Sequence, residues 1–104
     1  MVNDLREISR IAYSFKASKA LFVALELEIF GRIASSPKSL LQLAAETGVA
    51  ENRLGTLLAA LTSIGLMTKS GDHYRNAPAV QEHLVPGKPA YFGDYFTLQT
   101  DKFI

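Results

Sequence analysis

At 104 residues the chain has room for one domain and not for two independent cores. Its hydrophobic share of 48% is too high for a disordered chain, and a net charge of +1 gives no basic excess of the kind nucleic-acid binders use to hold phosphates. The absence of cysteine excludes disulfides and thiolate metal sites, the mixed-charge N-terminus lacks a signal peptide's apolar core, and the longest apolar run, Ala20 to Leu25, is far short of the roughly 20 residues that span a bilayer. A cytoplasmic protein with no membrane partner is the default expectation.

In chain order, Leu5, Ile8, Ala12 and Phe15 recur at spacings of three and four, a helical stripe. A second helix is expected over Ala17 to Ala34. At 100° per residue Phe22, Leu25, Ile29 and Ile33 share one side, and Val23, Leu27 and Phe30 point roughly the other way. Lys19 and Glu26 mark one seam between them, and Glu28 and Arg32, four apart, form an ordinary helix pair on the other. A helix apolar on two opposed faces is normally covered on both, and so small a domain covers one easily. The other calls for a partner, with Phe22, Val23, Leu27 and Phe30 as candidate dimer-interface residues.

Ser35-Ser36-Pro37 ends that helix. Ser39-Leu40-Leu41-Gln42 reads as a capping box opening a short helix with Leu40, Leu43 and Ala44 inward, closed by Thr47-Gly48. Leu54, Leu57, Leu58, Leu61 and Ile64 form the apolar stripe of a longer helix from about Ala50 to Ile64, which Gly65 terminates. Leu66-Met67-Thr68-Lys69 and His73-Tyr74-Arg75-Asn76, separated by Ser70-Gly71-Asp72, read as a hairpin. Short helix, tight turn, longer helix and hairpin make a winged helix-turn-helix with a two-stranded wing, mainly α, flanked by dimerisation helices. Pro78 suits the first turn of a short helix through Leu84, Pro86-Gly87-Lys88-Pro89 is a turn, and the aromatic segment from Ala90 ends at Ile104 in apparent mid-helix, like a cut.

The commonest role of such a fold is DNA binding. The face that would enter a major groove carries Asn52, Gly55, Thr56, Ala59 and Ser63, with Arg53 at its flank as the one cation of that helix. Base and phosphate readout needs longer donors, so no nucleic-acid partner is expected. Lys69, His73 and Arg75 on the wing keep a DNA-binding regulator as the alternative.

The ordered pieces resemble the N-terminal domain of S-adenosylmethionine-dependent small-molecule O-methyltransferases of the plant phenylpropanoid, bacterial polyketide and carotenoid type. The resemblance runs through Ala12-Tyr13-Ser14-Phe15-Lys16-Ala17-Ser18-Lys19-Ala20-Leu21 and Ala24-Leu25-Glu26-Leu27-Glu28-Ile29-Phe30. It continues in Leu40 to Gly48, in Leu57 to Leu61 with Ile64-Gly65-Leu66, and in Tyr74-Arg75-Asn76-Ala77-Pro78. There Ala77 replaces the family's Thr and removes a hydroxyl cap that Asn76 could partly replace. His83-Leu84-Val85-Pro86-Gly87 and Tyr91-Phe92-Gly93 complete it.

The resemblance implies one domain over 1–104, with a dimerisation helix region at 12–34, the helix-turn-helix at 38–65, the wing at 66–76, and a short helix and the start of a linker helix at 78–104. It implies a homodimer that helps wall an acceptor pocket, with Tyr13, Phe15, Tyr91, Tyr95 and Phe96 as candidate wall residues. Packing at an interface is the weightier alternative for those aromatics. S-adenosylmethionine would belong to a Rossmann-like catalytic domain absent from this chain. The scattered glycines Gly31, Gly48, Gly55 and Gly65 build no cofactor loop. His73 and His83 read as surface residues without an acidic companion at useful spacing, and two are too few for zinc. No catalytic, cofactor-binding or metal residue is therefore expected, and the chain alone should be inactive. A stand-alone dimeric interaction module remains a further alternative.

Overall fold

The fold opens on α1 (Leu5–Glu26), one continuous 22-residue helix in place of the two segments expected from the sequence. The computed structural model describes residues 4–89 and 91, and only the backbone of residues 7 and 9–15. The expected helix across Ala17 to Ala34 does not run through. It breaks at Leu27–Glu28, where Glu28 takes the left-handed conformation at φ 58°, and resumes as the single turn α2 (Ile29–Arg32).

The break alters the two-faced reading. Projecting Ile29, Phe30 and Ile33 onto the α1 axis placed them on different sides. After the break all three turn into one core, at 0%, 1% and 2% exposure. Phe30 is therefore a core residue of its own chain, with no surface left for a partner.

Ser39 and Gln42 form the expected capping box. The Gln42 amide donates to Ser39 Oγ at 3.2 Å, and the Ser39 amide donates to Gln42 Oε1 at 2.8 Å, opening α3 (Leu40–Thr47). Gly48, at φ 76°, closes it. The next helix, α4 (Glu51–Ser63), buries Leu54, Leu58 and Leu61 completely. Ile64 departs from the expected stripe. It is the C-cap and is 36% exposed. Gly65, at φ 87°, lets the Leu66 amide reach the Leu61 carbonyl and the Gly65 amide reach that of Thr62, a Schellman ending that satisfies two orphan carbonyls.

The hairpin consists of β2 (Met67–Ser70) and β3 (His73–Asn76), joined at Gly71-Asp72. The sequence reading missed a third strand. The two residues of β1 (Lys38–Ser39) pair antiparallel with the other edge of β3, placing Lys38 opposite Tyr74 and Ser39 opposite His73, in sheet order β1-β3-β2. Across the hairpin Met67 faces Asn76 and Lys69 faces Tyr74. Met67, Tyr74 and Asn76 lie inward, and Lys69 lays its ammonium 5.5 Å from the centre of the Tyr74 ring.

Pro78 occupies the first turn of α5 (Pro78–His83), as expected. The N-cap is Ala77 with no side-chain cap bond, so Asn76 does not take over that role. Leu84 and Val85 then return to the core. The resulting architecture packs α1 on α4 and α3 on α4, with the small sheet beside the helices. No helix among the described residues is long and apolar enough to cross a membrane.

Candidate functional site

The C-terminal half of α1 meets the core through small side chains, Ala20 at 8% exposure and Ala24 at 0%, which permit close approach to α4. Leu21 and Leu25 pack beside them. Around the same helix, Leu5, Ile8, Phe22 and Val23 fall within an arc of about 100°, separate from the alanines. Leu5 is 75% exposed and Ile8 55%, while Phe22 and Val23 are half-buried. Leu27 is also half-buried and packs against the core at the break. Of the four interface candidates, Phe22 and Val23 thus belong to the outward stripe, Leu27 sits beside the break and Phe30 lies in the core. In the sequence Leu5 and Ile8 form a helical stripe, but their spacing alone points to no partner. Continuing one helical projection from Leu5 to Val23 would have joined the two sets.

The break is held by polar contacts that sequence spacing did not suggest. Arg32 Nε donates to the Leu27 carbonyl at 2.9 Å, and its Nη1 lies 3.3 Å from Glu46 Oε1 on α3. Lys38 Nζ from β1 bonds the other carboxylate oxygen, Oε2, at 2.6 Å. Arg32 thus pairs with Glu46 and not with Glu28, although its own amide still donates to the Glu28 carbonyl at 3.1 Å. The hydrogen bond from Lys38 holds the Glu46 carboxyl below its ordinary range, assisted by Arg32 and opposed in part by desolvation.

A second polar node is buried. Asn76 is 7% exposed, and its Nδ2 donates to the Phe30 carbonyl and to Gln81 Oε1, both at 2.8 Å. Gln81 Nε2 donates in turn to the Ala34 carbonyl at 2.7 Å. Two side chains from the end of the sheet and α5 thereby satisfy carbonyls around α2, 46 and 47 residues away in sequence. Asn76 Oδ1 has no partner.

Among the candidate wall residues, the side chains of Tyr13 and Phe15, and all of Tyr95 and Phe96, lie outside the described residues. Tyr91 is half-buried and lines a cavity of about 50 Å³ with Ala24, Glu28, Phe30, Leu84 and Pro86. That space is well below the roughly 300 Å³ at which small-molecule sites begin. His73 has an acidic neighbour after all, with Nδ1 2.6 Å from Asp72 Oδ1, and His83 Nε2 lies 3.8 Å from Glu82; both pairs are open to solvent. On α4, Asn52, Arg53, Thr56, Ala59 and Ser63 are exposed. Gly55 leaves that expected outward face, because a Cβ there would stand 3.4 Å from Leu40 Cδ2.

Leu5, Ile8, Phe22 and Val23 thus give α1 an outward apolar stripe of the kind that suits association with another surface. The family model of the O-methyltransferase dimerisation domain matches residues 9–86. The chain is 36% identical to the tetracenomycin polyketide synthesis 8-O-methyl transferase TcmO of Streptomyces glaucescens, over 92% of this chain and 29% of that protein. It is 30% identical to the N,N-dimethyltransferase OxyT of Streptomyces rimosus, over 88% of this chain and 27% of that protein. Among solved structures, the O-methyltransferase family 2 protein of Planctomyces limnophilus, in complex with apigenin, superposes at a TM-score of 0.83 with 25% identity, over 94% of this chain and 30% of that one. The chain belongs to the O-methyltransferase dimerisation-domain family. It spans less than a third of the length of these curated relatives.

Proposed function

We propose that the chain is the winged-helix dimerisation domain of a cytoplasmic, S-adenosylmethionine-dependent methyltransferase that modifies a hydroxyl on a small aromatic or polyketide-like acceptor. In this reading two copies associate through α1, and the aromatic segment around Tyr91 helps wall the acceptor pocket. The observation that carries it is the α1 stripe. Leu5 and Ile8 stand exposed at the far end of a helix anchored to the core through Ala20 and Ala24. Large apolar side chains grouped on one helix face are a costly surface for a monomer and an ordinary one for an interface. The TcmO and apigenin-bound relatives support a flat oxygen acceptor, whereas OxyT, named for N,N-dimethyl transfer, keeps nitrogen in view.

The cofactor does not fit the described residues. Strand β1 runs directly into the α3 capping box, β2 returns through the hairpin, and β3 leads to Ala77-Pro78. None opens a Gly-rich loop with an acidic residue beyond it for the ribose hydroxyls, the pattern of a Rossmann-like cofactor site. In this reading the methyl donor and general base belong to a separate catalytic domain.

DNA binding is less well supported. Two hydroxyls on the exposed face of α4 turn back onto their own helix, Thr56 Oγ1 to the Asn52 carbonyl at 3.0 Å and Ser63 Oγ to that of Ala60 at 2.9 Å. Sedimentation at micromolar concentration should find a dimer, and Val23→Glu should shift it toward monomer. A wild-type monomer at those concentrations would overturn the reading. Steep, salt-dependent DNA binding would replace it with the regulator.

A further inference from the structure

We propose that Arg32 is a latch that fixes the direction in which α1 leaves the core, and thereby sets how firmly two copies associate; the second half rests on the homodimer reading above. The break at Leu27–Glu28 contains neither glycine nor proline, and the residues after it keep a helical apolar period. Local chemistry thus permits a continuous helix, while the observed state holds Glu28 in the left-handed region, which L-residues with a Cβ disfavour. Such a conformation persists only where its surroundings over-determine it.

Burial of Ile29, Phe30 and Ile33 supplies part of that constraint, and Arg32 supplies the part that reaches back to the end of α1. Its Nε captures the Leu27 carbonyl that the interrupted helix leaves open, and its Nη1 ties this junction to Glu46 of α3. Lys38 holds the same carboxylate from β1, so the latch is anchored in two further elements. The C-terminal segment closes over the other side of the break, where Gly31 approaches Pro86 and Tyr91 lines the adjoining cavity. The apolar load lies at the opposite end of the lever. A 22-residue helix is about 33 Å long, so a tilt of about 15° at its base carries the Leu5 end roughly 8 Å. That displacement would separate the Leu5 and Ile8 side chains from any matching surface.

The chain has no cysteine, so spin labels can be placed at Arg6→Cys and Ala59→Cys, both exposed positions, without background. Diluting labelled chains into excess unlabelled protein isolates the intrachain distance. Arg32→Met should shift or broaden that distance by several ångströms and weaken self-association by roughly tenfold in sedimentation. Glu46→Gln, which leaves the Nε bond in place, should move both in the same direction by less. Adding Glu28→Gly to Arg32→Met should move the distance back toward the original, since glycine removes the Cβ penalty on the left-handed turn. A folded Arg32→Met or Glu46→Gln protein with the wild-type distance would overturn the latch; Glu46→Gln decides the matter should Arg32→Met not fold. A distance that responds in a chain that is monomeric as wild type would support the latch and overturn the homodimer instead.

Discussion

Glu28 and Asn76 are single residues on which the geometry around α2 depends, and they act in opposite senses. Glu28 holds φ 58° with a Cβ that disfavours it, so Glu28→Gly should stabilise the fold by about 0.5–1 kcal/mol, less the extra chain entropy glycine brings to the unfolded state. Chemical denaturation would register this as a higher midpoint with an unchanged slope; destabilisation would imply that the Glu28 side chain supports the turn. Asn76→Ala removes the shared donor of Phe30 and Gln81 and leaves their oxygens short of a partner in a buried site. A loss of roughly 2–3 kcal/mol is expected. The loss should reappear in large part in Gln81→Ala if the two amides act as one network, a question for a double-mutant cycle.

Among the elements, α2, β1 and α3 are joined by one carboxylate. Lys38 and then Arg32 lower the Glu46 carboxyl relative to its value in the unfolded chain. The unfolded state therefore binds the proton first as pH falls, so the stabilisation is held well above the ordinary glutamate value of about 4.5 and disappears as pH drops through the lowered one. Thermal midpoints of wild type and Glu46→Gln should differ at neutral pH and converge in acid. Both pairs are about one-third exposed, so added salt should narrow the gap at neutral pH. What the sequence revealed at this scale follows the range of the interaction. The Ser39–Gln42 box, the glycine endings at Gly48 and Gly65 and the hairpin are decided within a few residues, and all were legible. Strand β1 was not, because two residues become a strand only when β3 arrives from more than 30 positions away. The break at Glu28 was hidden for the related reason that its stabilising groups, Arg32 and Glu46, are brought together by packing. The outward stripe of α1 was half legible, since its two parts were read as separate helices.

For the molecule as a whole, the interior and the outward stripe make separable contributions to stability. Leu54, Leu58 and Leu61 lie at 0% exposure and secure the monomer, whereas Leu5 and Ile8 are exposed and lose little by remaining in water when the chain unfolds. Replacing Ile8 by glutamate should therefore leave the monomer's own stability nearly unchanged. Association adds a second, concentration-dependent part, because a partner that binds only the folded chain raises the apparent stability by mass action. If α1 mediates a homodimer, the thermal midpoint of the wild-type chain should rise steadily with protein concentration once dimers form, each tenfold increase adding about 1.4 kcal/mol to the dimer's unfolding free energy. Ile8→Glu should remove that rise while matching wild type at the lowest concentrations. Calorimetry over a hundredfold concentration range separates the two contributions. A parallel drop of the Ile8→Glu curve at every concentration would place Ile8 in the fold of the single chain, and a flat wild-type curve would leave the stripe with no partner of its own kind.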